Sequence, residues 1–176
     1  MNFKQLVAKY AFGALSPDKI SEFALIGFSE GFESPSLLVL AGFDKNESLF
    51  EIEKYFKLAM AELEIKVPDR RTAAIYYANG IAEEVIEGKR DIISGIRAIK
   101  NILDDYGFYS ENIAYVYDSI YFEKVYGLYD TYDDLEETNI EQDPNKSNHV
   151  LMAETKIELR EELKYWSEKI KMHFNL

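Results

Sequence analysis

An acidic, tyrosine-rich tract over residues 104–143 dominates the chemistry that this sequence offers. It holds twelve carboxylates against a single base, Lys124, and eight of the thirteen tyrosines of the chain. The carboxylates are Asp104, Asp105, Glu111, Asp118, Glu123, Asp130, Asp133, Asp134, Glu136, Glu137, Glu141 and Asp143. Such a density of negative charge creates a local field, and tyrosine rings can both stack and hydrogen-bond. This combination suits the binding of a basic partner better than it suits a catalytic pocket.

Apolar spacing within the tract separates an expected inward stripe from residues expected to face solvent. The inward stripe comprises Ile113, Val116, Tyr117, Ile120 and Val125. The candidate partner-binding residues are Tyr109, Asp118, Tyr129, Asp130, Asp133 and Asp134. A plain acidic surface that aids solubility is an open alternative of comparable weight, because tyrosines also fill the cores of their own helices.

Other residue types that could do chemistry lack the partners they would need. The chain has no cysteine, which excludes disulfides, thiolate zinc sites and cysteine nucleophiles. Glu83, Glu84 and Glu87 fall within one helical turn but without the Glu-x-x-His element of di-iron bundles. His149 and His173 have no neighbouring nucleophile in sequence, and neither a G-x-S-x-G motif nor a phosphate-binding glycine loop occurs. The sequence predicts no catalytic residue, no metal site and no cofactor.

Net charge limits the classes of partner, and the distribution of apolar residues bears on the cellular compartment. The chain carries −12 at neutral pH, with a sequence pI near 4.7. Nucleic acids and anionic membranes attract Lys and Arg, so direct binding to either is not expected. No run approaches the roughly 20 apolar residues of a membrane span, and residues 1–5 do not begin a signal peptide. We therefore expect a cytoplasmic protein.

Apolar residues recur at helical spacing through most of the chain, which predicts an all-α fold. Helices are predicted from Phe3 to Gly13, after Ser16, after Ser34, and over 47–64, 70–87, 91–105, 111–138 and 148–172. The segment Ile113–Phe122 could also be a strand, since Tyr, Ile and Val favour β structure, but its helical neighbours favour helix. Residues 139–148 are predicted to form a loop. We expect one domain over 1–176, an irregular helical bundle or array of about seven to eight helices.

Three stretches carry a resemblance to a known family. They are Glu33-Ser34-Pro35-Ser36-Leu37-Leu38-Val39-Leu40-Ala41-Gly42, then Tyr55-Phe56-Lys57-Leu58-Ala59-Met60-Ala61-Glu62-Leu63 followed by Pro68, and Ile81-Ala82-Glu83-Glu84-Val85-Ile86-Glu87-Gly88. These resemble the D-S-x-x-L-x-x-L-A-G, F-x-x-A-L-x-E-L-G-I and I-A-x-x-I-V-x-G elements of small all-helical bacterial cytosolic proteins of unknown function. The resemblance covers about residues 10–105 and implies a helical fold, with no activity or site residue. Glu33 replaces the usual Asp, and Glu64 stands where Gly is common.

The tract lies outside that resemblance and carries the functional expectation. We expect a non-enzymatic module that masks a basic surface on a partner protein, such as a toxin or a nucleic-acid-binding protein. An immunity-type inhibitor of a bacterial toxin is one specific form, because an acidic helical face can occupy a basic substrate cleft. Three alternatives stay open: a phage-type nucleic-acid mimic, a metal-dependent helical enzyme, and a structural protein that forms a homodimer through its apolar helix faces.

Overall fold

The computed structural model of the chain is all-α, which confirms the fold class predicted from apolar spacing. It describes residues 1–111, 113–138, 143 and 145–174. Within these residues there are eight α-helices and three short 3-10 helices, and no β-strand. The α-helices are α1 (Phe3–Phe12), α2 (Ile20–Ser29), α3 (Pro35–Ala41), α4 (Leu49–Glu62), α5 (Arg70–Ile86), α6 (Ile92–Tyr106), α7 (Glu123–Glu137) and α8 (Asn148–Phe174). The 3-10 helices are Pro17–Lys19, Phe108–Ser110 and Asp118–Ile120.

Local capping chemistry explains where most helices begin and end. Side chains of Asn2, Ser34, Ser48 and Asp91 accept backbone N–H bonds at the starts of α1, α3, α4 and α6. Ser16, after which the second helix is predicted, makes no cap bond, and its hydroxyl donates to Asp18 instead. The 3-10 helix at Pro17–Lys19 therefore precedes α2.

The chain leaves the end of α4 through a left-handed backbone conformation at a residue that is not glycine. Glu64 follows the C-cap Leu63 and has a φ of +54°, in the left-handed region. The next amide, that of Ile65, donates to the carbonyl of Met60 at 2.9 Å and closes the turn. Glycine adopts this backbone conformation without the steric cost that Glu64 incurs.

The contacts of the chain divide it into two compact units, Met1–Tyr77 and Ala78–Leu176. The expectation of a single domain over 1–176 stays a prediction. The first unit packs α1 to α4 around a core of aromatic and aliphatic side chains that includes Phe3, Phe23 and Phe56. Its α1 approaches α2 so closely that a Cβ added at Gly27 would lie 2.8 Å from the Phe3 ring.

The second unit packs α6, α7, α8 and the carboxyl-terminal part of α5 around a separate core. Its largest fully buried side chains include Trp166, Tyr117, Phe108 and Phe122. The Trp166 Nε1 donates to the carbonyl of Ile120 at 2.9 Å. This bond ties the segment before α7 to the middle of α8.

The helix predicted over 111–138 is wrong in its first half, because α7 begins only at Glu123. Residues 113–122 form turns around one short 3-10 helix, so neither the favoured helix nor the alternative strand is present there. Tyr117 and Tyr121 adopt φ values of +62° and +61°, and a right-handed helix cannot continue through the left-handed region. The predicted loop 139–148 lies largely outside the described residues.

Burial corrects one of the predicted inward residues. Ile113, expected to face the core, is 87% exposed, and Val116 is only partly buried. The inward predictions for Tyr117, Ile120 and Val125 are confirmed, since all three are buried. Ile113 points outward because the helical spacing that placed it inside does not exist in that segment.

Two glycines of the second unit should respond oppositely to alanine. A Cβ at Gly95 would lie 2.2 Å from Val85 Cγ2, so Gly95→Ala should lower the free energy of unfolding by about 1–3 kcal/mol. Gly127 lies in α7 with nothing within 4 Å of an added Cβ, so Gly127→Ala should raise the free energy of unfolding by about 0.5–1 kcal/mol. Urea unfolding of both variants measures these changes.

A double variant isolates the steric cause at Gly95. In a Val85→Ala background the clashing methyl group is gone, so adding Gly95→Ala should cost less than it does in the wild type. An equal cost in both backgrounds would show that close packing between α5 and α6 is not the reason for glycine at this position.

Candidate partner-binding surface

α7 separates its buried and charged residues onto opposite faces. Its buried residues are Val125, Tyr129, Tyr132 and Leu135, spaced three or four apart. The opposite side exposes the carboxylates of Asp130, Asp134 and Glu137 and leaves Asp133 half-exposed, while Glu136, four residues after Tyr132, is exposed at the end of the helix. We call these five residues the α7 acidic face.

The carboxyl-terminal turn of α7 concentrates this charge where the helix disfavours it. The last turn contains Asp134, Glu136 and Glu137 and no base. The aligned peptide dipoles place partial negative charge at that end, so each exposed carboxylate there costs about 0.3–1 kcal/mol. Within the described residues, no base lies at ion-pair distance from these three side chains. The arrangement therefore maintains a negative field at the expense of helix stability.

The structure exposes three of the six predicted partner-binding residues and half-exposes two more. Tyr109, 54% exposed, Asp130 and Asp134 face solvent as expected, and Asp133 and Asp118 are partly covered. Of these, Asp130, Asp133 and Asp134 share the α7 acidic face. Tyr109 lies before α7, within the 3-10 helix at Phe108–Ser110.

The prediction that Tyr129 faces solvent is wrong. Its side chain is 7% exposed, because it follows Val125 by four residues and shares the buried stripe of α7. The Arg97 Nε of α6 donates to the Tyr129 hydroxyl at 3.1 Å, and Arg97 Nη2 lies 4.0 Å from Asp133. Tyr129 therefore holds a base beside the acidic face rather than contacting solvent itself.

Asp118 organises the backbone of the irregular segment. Its carboxylate accepts the N–H groups of Ile113, Ala114 and Tyr115 at 2.8, 2.5 and 2.9 Å. These bonds, led by that from Ile113, hold the pKa of Asp118 below its ordinary value. With its oxygens used in this way, Asp118 has a local structural role that its sequence position did not reveal.

A polar and aromatic cluster lies between the irregular segment and α6. The buried Tyr117 hydroxyl donates to Asp104, and Lys100 Nζ lies 2.8 Å from the same carboxyl group. Burial, followed by the bond to Asp104, raises the pKa of Tyr117 far above its ordinary value, so the ring stays neutral. The Tyr109 and Tyr126 rings meet Tyr117 edge-on, with centroids 5.9 and 5.1 Å away. Tyr109 is thus an exposed ring seated on a buried one.

Three glutamates of α8 extend the negative surface and escaped the sequence analysis. A groove of about 520 Å³ runs between α7 and α8, and Glu158, Glu161 and Glu162 line its α8 side. Gly127 and Thr131 line the α7 side. The i, i+3, i+4 spacing of the glutamates places them on one face of α8, but nearby Lys and Arg residues hid them from an analysis based on net charge.

The carboxylates that the sequence analysis considered as metal ligands are engaged elsewhere. Glu83 lies 2.6 Å from Lys171 and Glu84 lies 2.9 Å from Arg90. Among the described residues, no three histidine, cysteine, aspartate or glutamate side chains are close enough to hold a metal ion. Likewise, no helix in the described part of the chain has the length and apolar character needed to cross a bilayer.

Comparisons with known proteins do not identify a related site. Neither family models, nor curated proteins, nor solved structures give a match to this chain. The resemblance noted over residues 10–105 therefore stays an expectation, and the chemistry of the acidic surface carries the functional argument.

Asp118→Asn should loosen the irregular segment before α7. The amide keeps the shape but loses the charge that strengthens three backbone hydrogen bonds. We expect faster hydrogen exchange at the amides of Ile113, Ala114 and Tyr115, measured by NMR. The exposed variant Asp130→Asn removes the same charge and should leave these rates unchanged. Equal protection in both variants would contradict the structural role of Asp118.

Acidification of the wild type should also speed hydrogen exchange at the three amides bonded to Asp118. Because the folded-state pKa of Asp118 lies below that of the unfolded chain, its stabilising contribution is present above about pH 4. It is lost as the pH falls through the lower folded-state pKa. Exchange rates corrected for intrinsic pH dependence should therefore rise at these three amides below that pH, and the rise should be absent in Asp118→Asn.

Proposed function

We propose that this chain is a non-enzymatic protein-binding module that masks a basic surface on a partner protein. The observation that carries the proposal is the carboxyl-terminal turn of α7, where three exposed carboxylates oppose the helix dipole and none forms an ion pair with a base of the described residues. Solubility alone needs negative charge but does not require it at the position where it destabilises a helix. A surface kept at a cost in stability is the pattern expected where binding has shaped the residues.

The distribution of negative charge over α7 and α8 supports a protein partner. The α8 glutamates line a groove whose α7 side is formed by Lys124, Gly127, Leu128 and Thr131, so negative charge is present on α8 as well as on the α7 acidic face. Such a field raises the association rate of a basic partner, and the effect falls as salt screens it. The exposed Tyr109 adds a ring of the kind that anchors interfaces.

Among basic partners, a toxin that acts on nucleic acid fits this surface well. Such a toxin needs a positively charged cleft for its substrate, and an acidic helix pair can occupy that cleft. The specific form of the proposal is therefore an immunity-type inhibitor of a bacterial toxin. Inhibition of a DNA-binding complex by a nucleic-acid mimic uses the same surface, and the identity of the captured partner distinguishes the two.

Neutralising the end of α7 should raise stability and weaken binding together. The double variant Glu136→Gln/Glu137→Gln should raise the free energy of unfolding by about 0.5–1.5 kcal/mol, because it removes two charges from the negative end of the helix dipole. The control Glu168→Gln/Glu33→Gln changes the net charge equally at exposed sites away from α7. Thermal and urea unfolding of both proteins measure the difference, and equal stability changes would contradict the dipole argument.

Capture from native lysate tests the binding half of the proposal. The wild type and both double variants serve as baits at low and high salt. We expect one basic protein to be retained by the wild type and the control, lost at high salt, and retained about tenfold less by the α7 variant. Capture that is indifferent to the α7 substitutions would overturn the assignment of this face, and no capture at either salt would return the tract to a solubility role.

A further inference from the structure

A second groove beside the α7 acidic face combines aromatic rings with a carboxylate. It encloses about 490 Å³ and is lined by Tyr115, Val116, Glu123, Lys124 and Tyr126. Tyr115 is 70% exposed and Tyr126 is half-buried. We call it the Glu123 groove. It lies where the irregular segment meets the start of α7.

The carboxylate of Glu123 is incompletely satisfied. Its Oε2 is buried and has no hydrogen-bond partner among the described residues. A buried polar oxygen without a partner carries a desolvation cost that a donor from outside can relieve. Tyr115 and Lys124 line the same groove as Glu123, and both are exposed there.

We propose that the Glu123 groove receives an arginine side chain of the basic partner. The guanidinium is planar, so it can lie against the faces of Tyr115 and Tyr126 while its N–H groups donate to Glu123. An ammonium group offers neither the flat stacking surface nor the forked donor geometry. The inference rests on the proposed function and adds to it the residue that the groove recognises.

Lys124 sets the selectivity of this groove. It lines the same space as Glu123 and is the one base in the tract, so its ammonium opposes an incoming cation. Removal of the two neighbouring charges should therefore act in opposite directions. Glu123→Gln should weaken the binding of arginine about tenfold, as expected for loss of a charge-assisted hydrogen bond, whereas Lys124→Ala should strengthen it about twofold.

The probe is N-acetyl-arginine amide, titrated into the isotope-labelled full chain and followed by NMR. We expect saturable shifts at Tyr115, Glu123 and Tyr126, and about tenfold weaker binding of N-acetyl-citrulline amide, which keeps the shape but lacks the charge. The Tyr115→Leu variant should bind about threefold more weakly, because it loses one ring from the groove. Arginine binding that is equal in the wild type and Glu123→Gln, or equal to that of citrulline, would overturn the proposal.

Two further measurements keep the result interpretable. Circular dichroism melting checks that Glu123→Gln and Tyr115→Leu stay folded. If either variant is unfolded, Lys124→Ala takes its place, and the proposal then stands or falls on the expected twofold gain in its affinity for the probe. The Asp130→Asn/Asp134→Asn variant should bind the probe as the wild type does, since these residues do not line the groove. Loss of probe binding there would place recognition on the α7 acidic face instead.

The probe also separates this proposal from the masking function. Probe binding at the groove needs no partner, whereas capture of a basic protein depends on the α7 acidic face. If the α7 variants lose the partner while Glu123→Gln retains both partner and probe, the groove assignment fails and the masking function stands. If the probe binds through Glu123 but the α7 variants capture the partner normally, the assignment of the α7 acidic face fails.

Discussion

The orientation of α7 depends on how the chain crosses residues 113–122. Asp118 gathers three backbone N–H groups at one side of this segment, and Trp166 holds the carbonyl of Ile120 at the other. Phe122 is fully buried and meets the Trp166 ring edge-on at 5.0 Å. Because α7 starts at the next residue, these contacts fix which residues of the helix turn inward. A rotation by one residue, about 100° around the axis, would exchange buried tyrosines for exposed carboxylates.

The second unit distributes its bases unevenly among its acids. Asp104 has Lys100, Glu84 has Arg90 and Glu83 has Lys171, so the acids of α5 and α6 are locally compensated. At the end of α7, no described base forms an ion pair with Asp134, Glu136 or Glu137, and Arg97 interacts with Glu136 only at longer range, although the chain carries twenty Lys and Arg residues in all. Self-repulsion at one helix end lowers stability. This contrast between compensated and uncompensated acids distinguishes a directed surface from a generally acidic chain.

Sequence reasoning succeeded where structure is determined locally and failed where it is not. The Ser34 start signal, with apolar residues at helical spacing, located the regular helices because both act within a few residues of sequence. The segment 113–122 was misjudged because Tyr117 and Tyr121 adopt left-handed conformations that neither spacing nor propensity predicts for tyrosine. The error at Tyr129 is separate, since Val125, four residues before it on the same buried stripe, was correctly predicted to face inward.

Counting charges along the sequence does not show how a helix distributes them around its axis. It identified the tract because acids there are dense, and it missed the α8 glutamates because α8 carries five acids and five bases in all. A helix sorts such residues by angle, so a balanced sequence can still present an acidic strip. The glutamates became part of the candidate surface only when α7 was seen to run beside them.

The exposed carboxylates and the Glu123 groove contribute to recognition in different ways. Exposed carboxylates on α7 and α8 act at a distance, so they increase the rate of encounter without selecting one basic side chain over another. The Glu123 groove acts only on contact, where an incompletely satisfied carboxylate and two tyrosine rings discriminate by shape and hydrogen bonding. Salt should weaken the first contribution more than the second, because exposed charges are screened and partly buried ones much less so. A partner that used both would be captured quickly through the field and retained by the groove.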